Sequence, residues 1–217
     1  MEYFEVLLQN RMLVETIYTF IIVFLTLSVY FKARKFYNLS LHNGFKYFGN
    51  AFLYFAIAYF IRFVIEALNK LSSDWISRIV LSVAFFYTVQ LFGFYLVYSL
   101  VWKNIKPKEY LLHIIALIIA LLSVFLRKPE FMFIIQLIVL SYAAIISYNN
   151  YKAGKKNQQL YFIAMILAFL GYLANFISGF ITPFYPEFVV YVYAITISIF
   201  LVFYGIIGKR WLRKGKG

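Results

Sequence analysis

Long apolar stretches with no alternating polar face limit most strongly what this chain can form. Two examples are "FIIVFLTLSVYF" at 20–31 and "LLHIIALIIALLSVFL" at 111–126, and neither carries a charged residue. Soluble domains are about half apolar and about a quarter charged, whereas this chain is 64% hydrophobic and 13% charged. Strands of a membrane β-barrel would alternate apolar and polar residues. The sequence therefore predicts an all-α protein of the cell membrane with several passes through the lipid bilayer.

Seven stretches are long enough to cross a bilayer, for which about 20 apolar residues suffice and somewhat shorter runs are tolerated. The predicted spans are 14–31, 45–68, 77–102, 111–126, 131–148, 160–181 and 188–207. The fourth and fifth spans are separated only by "RKPE" at 127–130, which predicts a tight turn, since proline and charges are unfavourable in hydrocarbon. All four prolines fall in predicted loops: Pro107, Pro129, Pro183 and Pro186.

The basic residues predict the orientation of these spans. Fifteen of the 21 Lys and Arg residues fall in the first, third and fifth loops and in the basic tail at 208–217. Cytoplasmic loops are the ones enriched in Lys and Arg, so the N-terminus is predicted outside and the C-terminus in the cytoplasm. A signal peptide is not expected, because the first residues include Glu2 and Glu5 and no basic segment. The basic inner surface predicts contact with anionic lipids or with an acidic protein partner, and nucleic acid is not expected.

An internal repeat is suggested by two offsets in the sequence. Residues 42–63 align with 156–177 at an offset of 114, and the third and seventh spans align at an offset of 106. The chain, a single domain over 1–217, would then consist of parallel triplets at 14–102 and 131–207 joined by the helix at 111–126. This three-plus-one-plus-three layout is similar to that of KDEL receptors and SWEET-type sugar carriers. Their Pro-Gln pair is missing here, so none of their binding residues is transferred.

The sequence lacks the usual patterns of membrane and soluble enzymes. No lysine in the seventh span could hold retinal, and the two histidines, His42 and His113, do not have the spacing of a zinc site. There is no cysteine for thiol chemistry and no Gly-x-Ser-x-Gly motif. The prediction is a non-enzyme without metal or cofactor, in which His113 is an interfacial or helix-capping residue.

Polar residues within the spans define a candidate ligand site in the outer half of the membrane. Charged and strongly polar side chains in spans are rare and usually face the bundle interior. At about 1.5 Å of rise per residue, several helices place such groups at similar depth. A small-residue face on the sixth span, from Ala164 to Gly179, is predicted to turn Asn175 towards protein. The predicted ligand-binding residues are Tyr59, Arg62, Glu66, Tyr87, Gln90, Gln136 and Asn175.

Arg62 is open to two interpretations. It could offer a positive charge and a fork of five donors to an anionic ligand, or it could form a structural clamp with Glu66 one turn away or extend to the interface. Three functions follow from these alternatives. The first is a receptor or sensor-like module that binds a small ligand from outside, the second is a small-solute transporter with alternating access between the triplets, and the third is a structural or assembly subunit.

Overall fold

The structure, a computed structural model, describes residues 11–71, 75–101, 109–154, 158–181 and 188–214. Within these ranges the chain forms seven helices and no strand. Their bounds are α1 Arg11–Ser40, α2 Asn43–Leu71, α3 Trp75–Val101, α4 Glu109–Phe125, α5 Pro129–Lys152, α6 Gln158–Ile181 and α7 Phe188–Lys214. Each predicted span lies on one helix, but most helices extend beyond their span, by as much as nine residues at the end of α1 and seven at the end of α7. The basic tail is not wholly a coil, because α7 continues through it to Lys214.

Four of the helices are long and apolar enough to cross a membrane. In the described part of the chain they run over Leu13–Ser40, Asn43–Leu68, Trp75–Val101 and Glu130–Lys152. The apolar segments Glu109–Phe125, Tyr161–Ala174 and Tyr191–Val202 are shorter. At about 1.5 Å per residue, the 17 residues of α4 span somewhat less than the roughly 30 Å of a hydrocarbon core. Seven membrane crossings, the orientation and the internal repeat therefore stay predictions.

The outward faces of α4 and α5 are apolar. On each helix, exposed large apolar residues recur at intervals of three or four, which places them along one stripe. A surface helix of a soluble protein shows the opposite pattern, with polar residues outward and apolar residues towards the core. An apolar environment around these helices explains the pattern. The exposed residues are Leu111, Ile114, Ile118, Leu122 and Phe125 on α4, and Phe131, Ile134, Ile138, Tyr142 and Ile145 on α5.

Tight turns end α1 and α4, each through one residue in the left-handed region. Leu41 (φ 52°) donates its N–H to the carbonyl of Tyr37, which closes the last turn of α1. Arg127 (φ 53°) donates to Val124, and Lys128 donates to Ser123, which together make a Schellman motif at the end of α4. The turn predicted between the fourth and fifth spans is therefore present. Pro129, however, is the first residue of α5 and not part of the loop, because proline is well tolerated at the first helical position.

The chain divides into two compact units, and α1 and α5 contribute to both. One unit contains Thr26–Ala143 and the other contains Met1–Leu25 with Ala144–Gly217. In the Thr26–Ala143 unit, α2 packs on α3 and α3 packs on α4. In the other unit, α6 packs on α7, and the ring of Tyr18 stacks on that of Tyr193 with centroids 4.1 Å apart.

Candidate functional site

Arg62 and Glu66 form an ion pair along one face of α2. The Nε atom of Arg62 lies 3.2 Å from Oε1 of Glu66, and both side chains are about one third exposed. A spacing of four residues brings side chains together on a helix. Tyr59, one turn earlier, is buried, and its ring centroid lies 4.8 Å from that of Phe55. The positive charge of Arg62 is therefore already balanced within its own helix, as the clamp interpretation requires, while its partial exposure leaves it reachable.

Gln90 and Gln136 lie at the contact between α3 and α5, which we call the amide contact. The Nε2 atom of Gln90 donates to the carbonyl of Met132 at 3.0 Å. Gln136, one turn after Met132, lies against Gly93, where an added Cβ would be only 2.5 Å from its Nε2 atom. Gln90 contacts Met132, and Gly93, one turn further along α3, contacts Gln136, one turn further along α5. The two helices therefore run parallel here. A glycine at position 93 is what allows the amide to approach the α3 backbone this closely.

The amide of Gln136 is fully buried and unsatisfied within the described residues. Its exposed fraction is 0%, and neither Nε2 nor Oε1 has a hydrogen-bond partner there. The Oε1 atom of Gln90 lacks a partner as well. Buried polar side chains are usually hydrogen-bonded, and an exception calls for a physical explanation such as a functional role. The amide contact thus has unused donors and acceptors inside an apolar unit.

His113 of α4 is held by two tyrosines of α3. The hydroxyl of Tyr87 lies 2.6 Å from Nδ1, and that of Tyr95 lies 3.0 Å from Nε2. The ring of Tyr54 on α2 stacks on Tyr95 with centroids 5.3 Å apart and meets the His113 ring edge-on at 6.0 Å. A neutral imidazole has one donor and one acceptor nitrogen, so it can accept from one hydroxyl and donate to the other. These four residues form the tyrosine–histidine network, which joins α2, α3 and α4.

A second polar contact joins the first turn of α4 to α2. Glu109 accepts a hydrogen bond from the hydroxyl of Tyr47 at 2.9 Å, and it forms an ion pair with Lys46 at 3.3 Å. An acidic residue in the first turn of a helix is favoured by the helix dipole. Tyr47 also approaches Tyr95, with ring centroids 6.2 Å apart. The Glu109 contact and the tyrosine–histidine network are therefore neighbours.

The structure places the predicted ligand-binding residues in separate groups. Arg62 and Glu66 meet on α2, Gln90 and Gln136 share the amide contact, and Tyr87 belongs to the tyrosine–histidine network. The side chain of Asn175 lies outside the described residues. On α6, the small residues Ala164 and Gly171 are buried, and a Cβ at Gly171 would lie 3.8 Å from Ile199 of α7.

Sequence reasoning missed Tyr95, Tyr54 and Glu109, and it placed His113 in an interfacial or capping role. Its ring instead bridges two tyrosines, because α3 and α4 pack directly on each other and bring tyrosines to both ring nitrogens. The available signal was a lone histidine in an apolar helix that follows a tyrosine-rich helix. No group of three or more His, Cys, Asp or Glu residues that could hold a metal occurs in the ranges that the structure describes.

An apolar groove of about 350 Å³ lies beside these polar groups, between α3, α4 and α5. It is bordered by Tyr98, whose ring centroid lies 4.2 Å from that of Tyr47. A volume of this size is in the range of small-molecule sites, which are mostly apolar with a few polar groups. The residues that line it are Phe94, Val97, Tyr98, Val101, Leu112, Ile138, Val139 and Tyr142.

The chain belongs to the same family as a protein of the archaeon Archaeoglobus fulgidus. The two are 33% identical over 215 residues, which cover 92% of each chain. That relative is described as an uncharacterized protein, so it brings no activity to this chain. No family model matches the sequence, and no solved structure matches it.

Proposed function

We propose that this chain is a non-enzymatic, multi-pass membrane protein that acts as a receptor or sensor-like module for a small ligand. In this proposal all seven helices cross the bilayer, with the N-terminus outside and the C-terminus in the cytoplasm. The outward apolar faces of α4 and α5 and the distribution of Lys and Arg support the membrane part of the proposal. The polar groups inside the Thr26–Ala143 unit support the ligand part.

The observation that carries the ligand proposal is the unsatisfied amide of Gln136. Leaving a buried amide unpaired is unfavourable by about 1–3 kcal/mol, and polar groups within membrane spans are commonly functional. A ligand that supplied one acceptor and one donor would relieve this penalty on binding. Arg62 is exposed over about one third of its side chain, and an anionic ligand that entered from the outer side would replace Glu66 as its partner.

A ligand screen by thermal shift tests this proposal. Purified protein in detergent is heated with small carboxylates, phosphates and neutral polar compounds, and each stabilising compound is retested on Gln136→Met and Arg62→Leu. We expect the shift to disappear in Gln136→Met and to shrink in Arg62→Leu for an anionic compound. Tyr148→Phe is the matched control, because this tyrosine is exposed on α5 and does not line the apolar groove, and it should keep the full shift.

Two results would contradict the ligand proposal. If the thermal shift persists in both variants, the compound binds neither at the amide contact nor at Arg62. The second result is that no compound stabilises the wild type while Gln136→Met is more stable. It favours a structural or assembly subunit in which the polar groups only hold helices together.

A small-solute transporter is the second candidate, with alternating access between the two helix triplets that the sequence suggests, 14–102 and 131–207. Alternating access needs two bodies that can move against each other. Uptake of the stabilising compound into proteoliposomes separates the candidates. A transporter moves the compound in step with protein content, whereas a receptor-like module binds it without flux.

A further inference from the structure

A small polar pocket lies between the end of α1 and the start of α2. Its volume is about 120 Å³, well below the roughly 300 Å³ at which pockets begin to hold drug-sized molecules. Four residues of α1, at spacings of four, three and one, and three residues of α2 line the pocket. They are Tyr30, Arg34, Tyr37 and Asn38 on α1, and Lys46, Gly49 and Asn50 on α2. These spacings place each set on one face of its helix. The pocket can therefore hold one small group and not a whole metabolite.

The tight connection between α1 and α2 creates this pocket. Only Leu41 and His42 separate the two helices, and Leu41 closes the last turn of α1. The helices touch at Gly49, where an added Cβ would lie 3.2 Å from Cβ of Ala33. A side chain in place of Gly49 would push the helices apart. The pocket is thus built into the hairpin and does not depend on a flexible loop.

The lining of the pocket consists of hydrogen-bond donors and contains no carboxylate. Arg34 is held over the Tyr30 ring, 5.9 Å from its centroid, and donates from Nη1 to the Tyr30 hydroxyl at 2.5 Å. No described carboxylate pairs with Arg34, and the side chains of Tyr37, Asn38 and Asn50 make no hydrogen bond to another described residue. A guanidinium held in this way keeps further N–H groups for a ligand.

The net charge of the site is positive. Arg34 and Lys46 each bring a positive charge, and among the described residues the acid that pairs with either of them is Glu109, which contacts Lys46 from α4. Arginine binds phosphate and carboxylate through parallel hydrogen bonds. The donors come from two helices and from four chemical types: guanidinium, ammonium, amide and hydroxyl. Such a spread suits the tetrahedral oxygens of a phosphate better than the planar pair of a carboxylate.

We propose that the α1–α2 pocket binds a phosphate group, which Arg34 grips from α1 and Lys46 and Asn50 contact from α2. The pocket lies at the end of two long apolar helices, where phospholipid headgroups meet a membrane protein. The phosphate can come from a lipid headgroup or from a free phosphate ion, and the chemistry of recognition is the same. This site is separate from the ligand site of the amide contact, and either can exist without the other.

The test compares two probes on three proteins. The proteins are the wild type, Arg34→Met and Lys35→Met, each purified in detergent. Each is titrated with inorganic phosphate alone and, separately, with phosphatidic acid in mixed micelles. The readouts are thermal stability and the lipid retained in native mass spectra. Lys35 is the matched control because it is an exposed basic neighbour that does not line the pocket. We expect affinity to fall about tenfold in Arg34→Met, the loss of one charge-assisted contact of about 1.4 kcal/mol, and less than about twofold in Lys35→Met.

The two probes distinguish the sources of the phosphate. Binding of phosphatidic acid without binding of inorganic phosphate at millimolar concentration identifies a headgroup site, and Arg34-dependent binding of both identifies a site for the phosphate group itself. Equal losses in Arg34→Met and Lys35→Met would mean unspecific attraction to positive charge and would overturn the proposal, as would the absence of binding to either probe. Tyr37→Phe, which keeps the fold and the charge, should weaken binding less than Arg34→Met.

Discussion

Replacing Gln136 with methionine should make the protein more stable. The two amide atoms are fully buried and have no partner in the described residues, and each unpaired buried amide is unfavourable by about 1–3 kcal/mol. Methionine has nearly the same length and volume, adapts its shape, and has no strong polar group to satisfy. We therefore expect a gain of about 2 kcal/mol in the free energy of unfolding, which corresponds to a rise of about 4–8 °C in Tm for a chain of this size.

The assay is thermal unfolding of the ligand-free protein in one detergent. The matched control is Gln90→Met, on the facing helix. That substitution removes the unpaired Oε1 atom of Gln90, but it also removes the hydrogen bond from Nε2 to the Met132 carbonyl. These two effects oppose each other, so Gln90→Met should change Tm by much less than Gln136→Met.

A fall in Tm for Gln136→Met would refute this reasoning. It would mean that the amide has a partner in the folded protein, and the ligand proposal would lose the observation that carries it. A gain in Tm together with loss of ligand binding would show that stability is lowered at this position in return for function.

Three further predictions concern packing, a hydrogen bond and a turn. Gly93→Ala should lower the free energy of unfolding by about 1–3 kcal/mol, since the added Cβ would lie 2.5 Å from the amide of Gln136. This loss should shrink when Gln136 is also replaced by alanine. Additive losses in the double-mutant cycle would contradict a contact between the two residues. Tyr47→Phe should lower it by about 1.5 kcal/mol through loss of the hydrogen bond to a carboxylate, whereas the exposed control Tyr142→Phe should have little effect, and equal effects would argue against the bond. Arg127→Val should destabilise by about 1 kcal/mol, because φ is 53° there and a β-branched side chain tolerates the left-handed region less well than arginine does. Arg127→Gly should show no loss in chemical unfolding, and equal effects of the two changes would argue against this reason.

The sequence was sufficient to predict the helices. Apolar runs show where each helix lies, and this signal is local, but charged residues did not mark every end, since α1 continues to Ser40 and α7 to Lys214. The same is true of Arg62 and Glu66, since a spacing of four on one helix predicts the contact that the structure shows at 3.2 Å.

Contacts between helices could not be predicted in this way. Whether His113 meets Tyr87 and Tyr95, or Gln136 meets Gly93, depends on how each helix is rotated and shifted against its neighbour. With 20 tyrosines in the chain, depth along a helix leaves many partners open for one histidine. The α1–α2 pocket was missed for a similar reason, because it depends on the close approach at Gly49.

Site-directed labelling shows whether α5 crosses the bilayer in the predicted orientation, and the sidedness of both proposed sites depends on that orientation. The chain has no cysteine, so single cysteines at the exposed positions Lys128 and Lys152 can be probed with a membrane-impermeant maleimide. In right-side-out vesicles we expect labelling of Lys128→Cys and protection of Lys152→Cys, and the reverse in inside-out vesicles. Labelling of both positions from the same side would contradict this expectation, because α5 would then not cross the membrane.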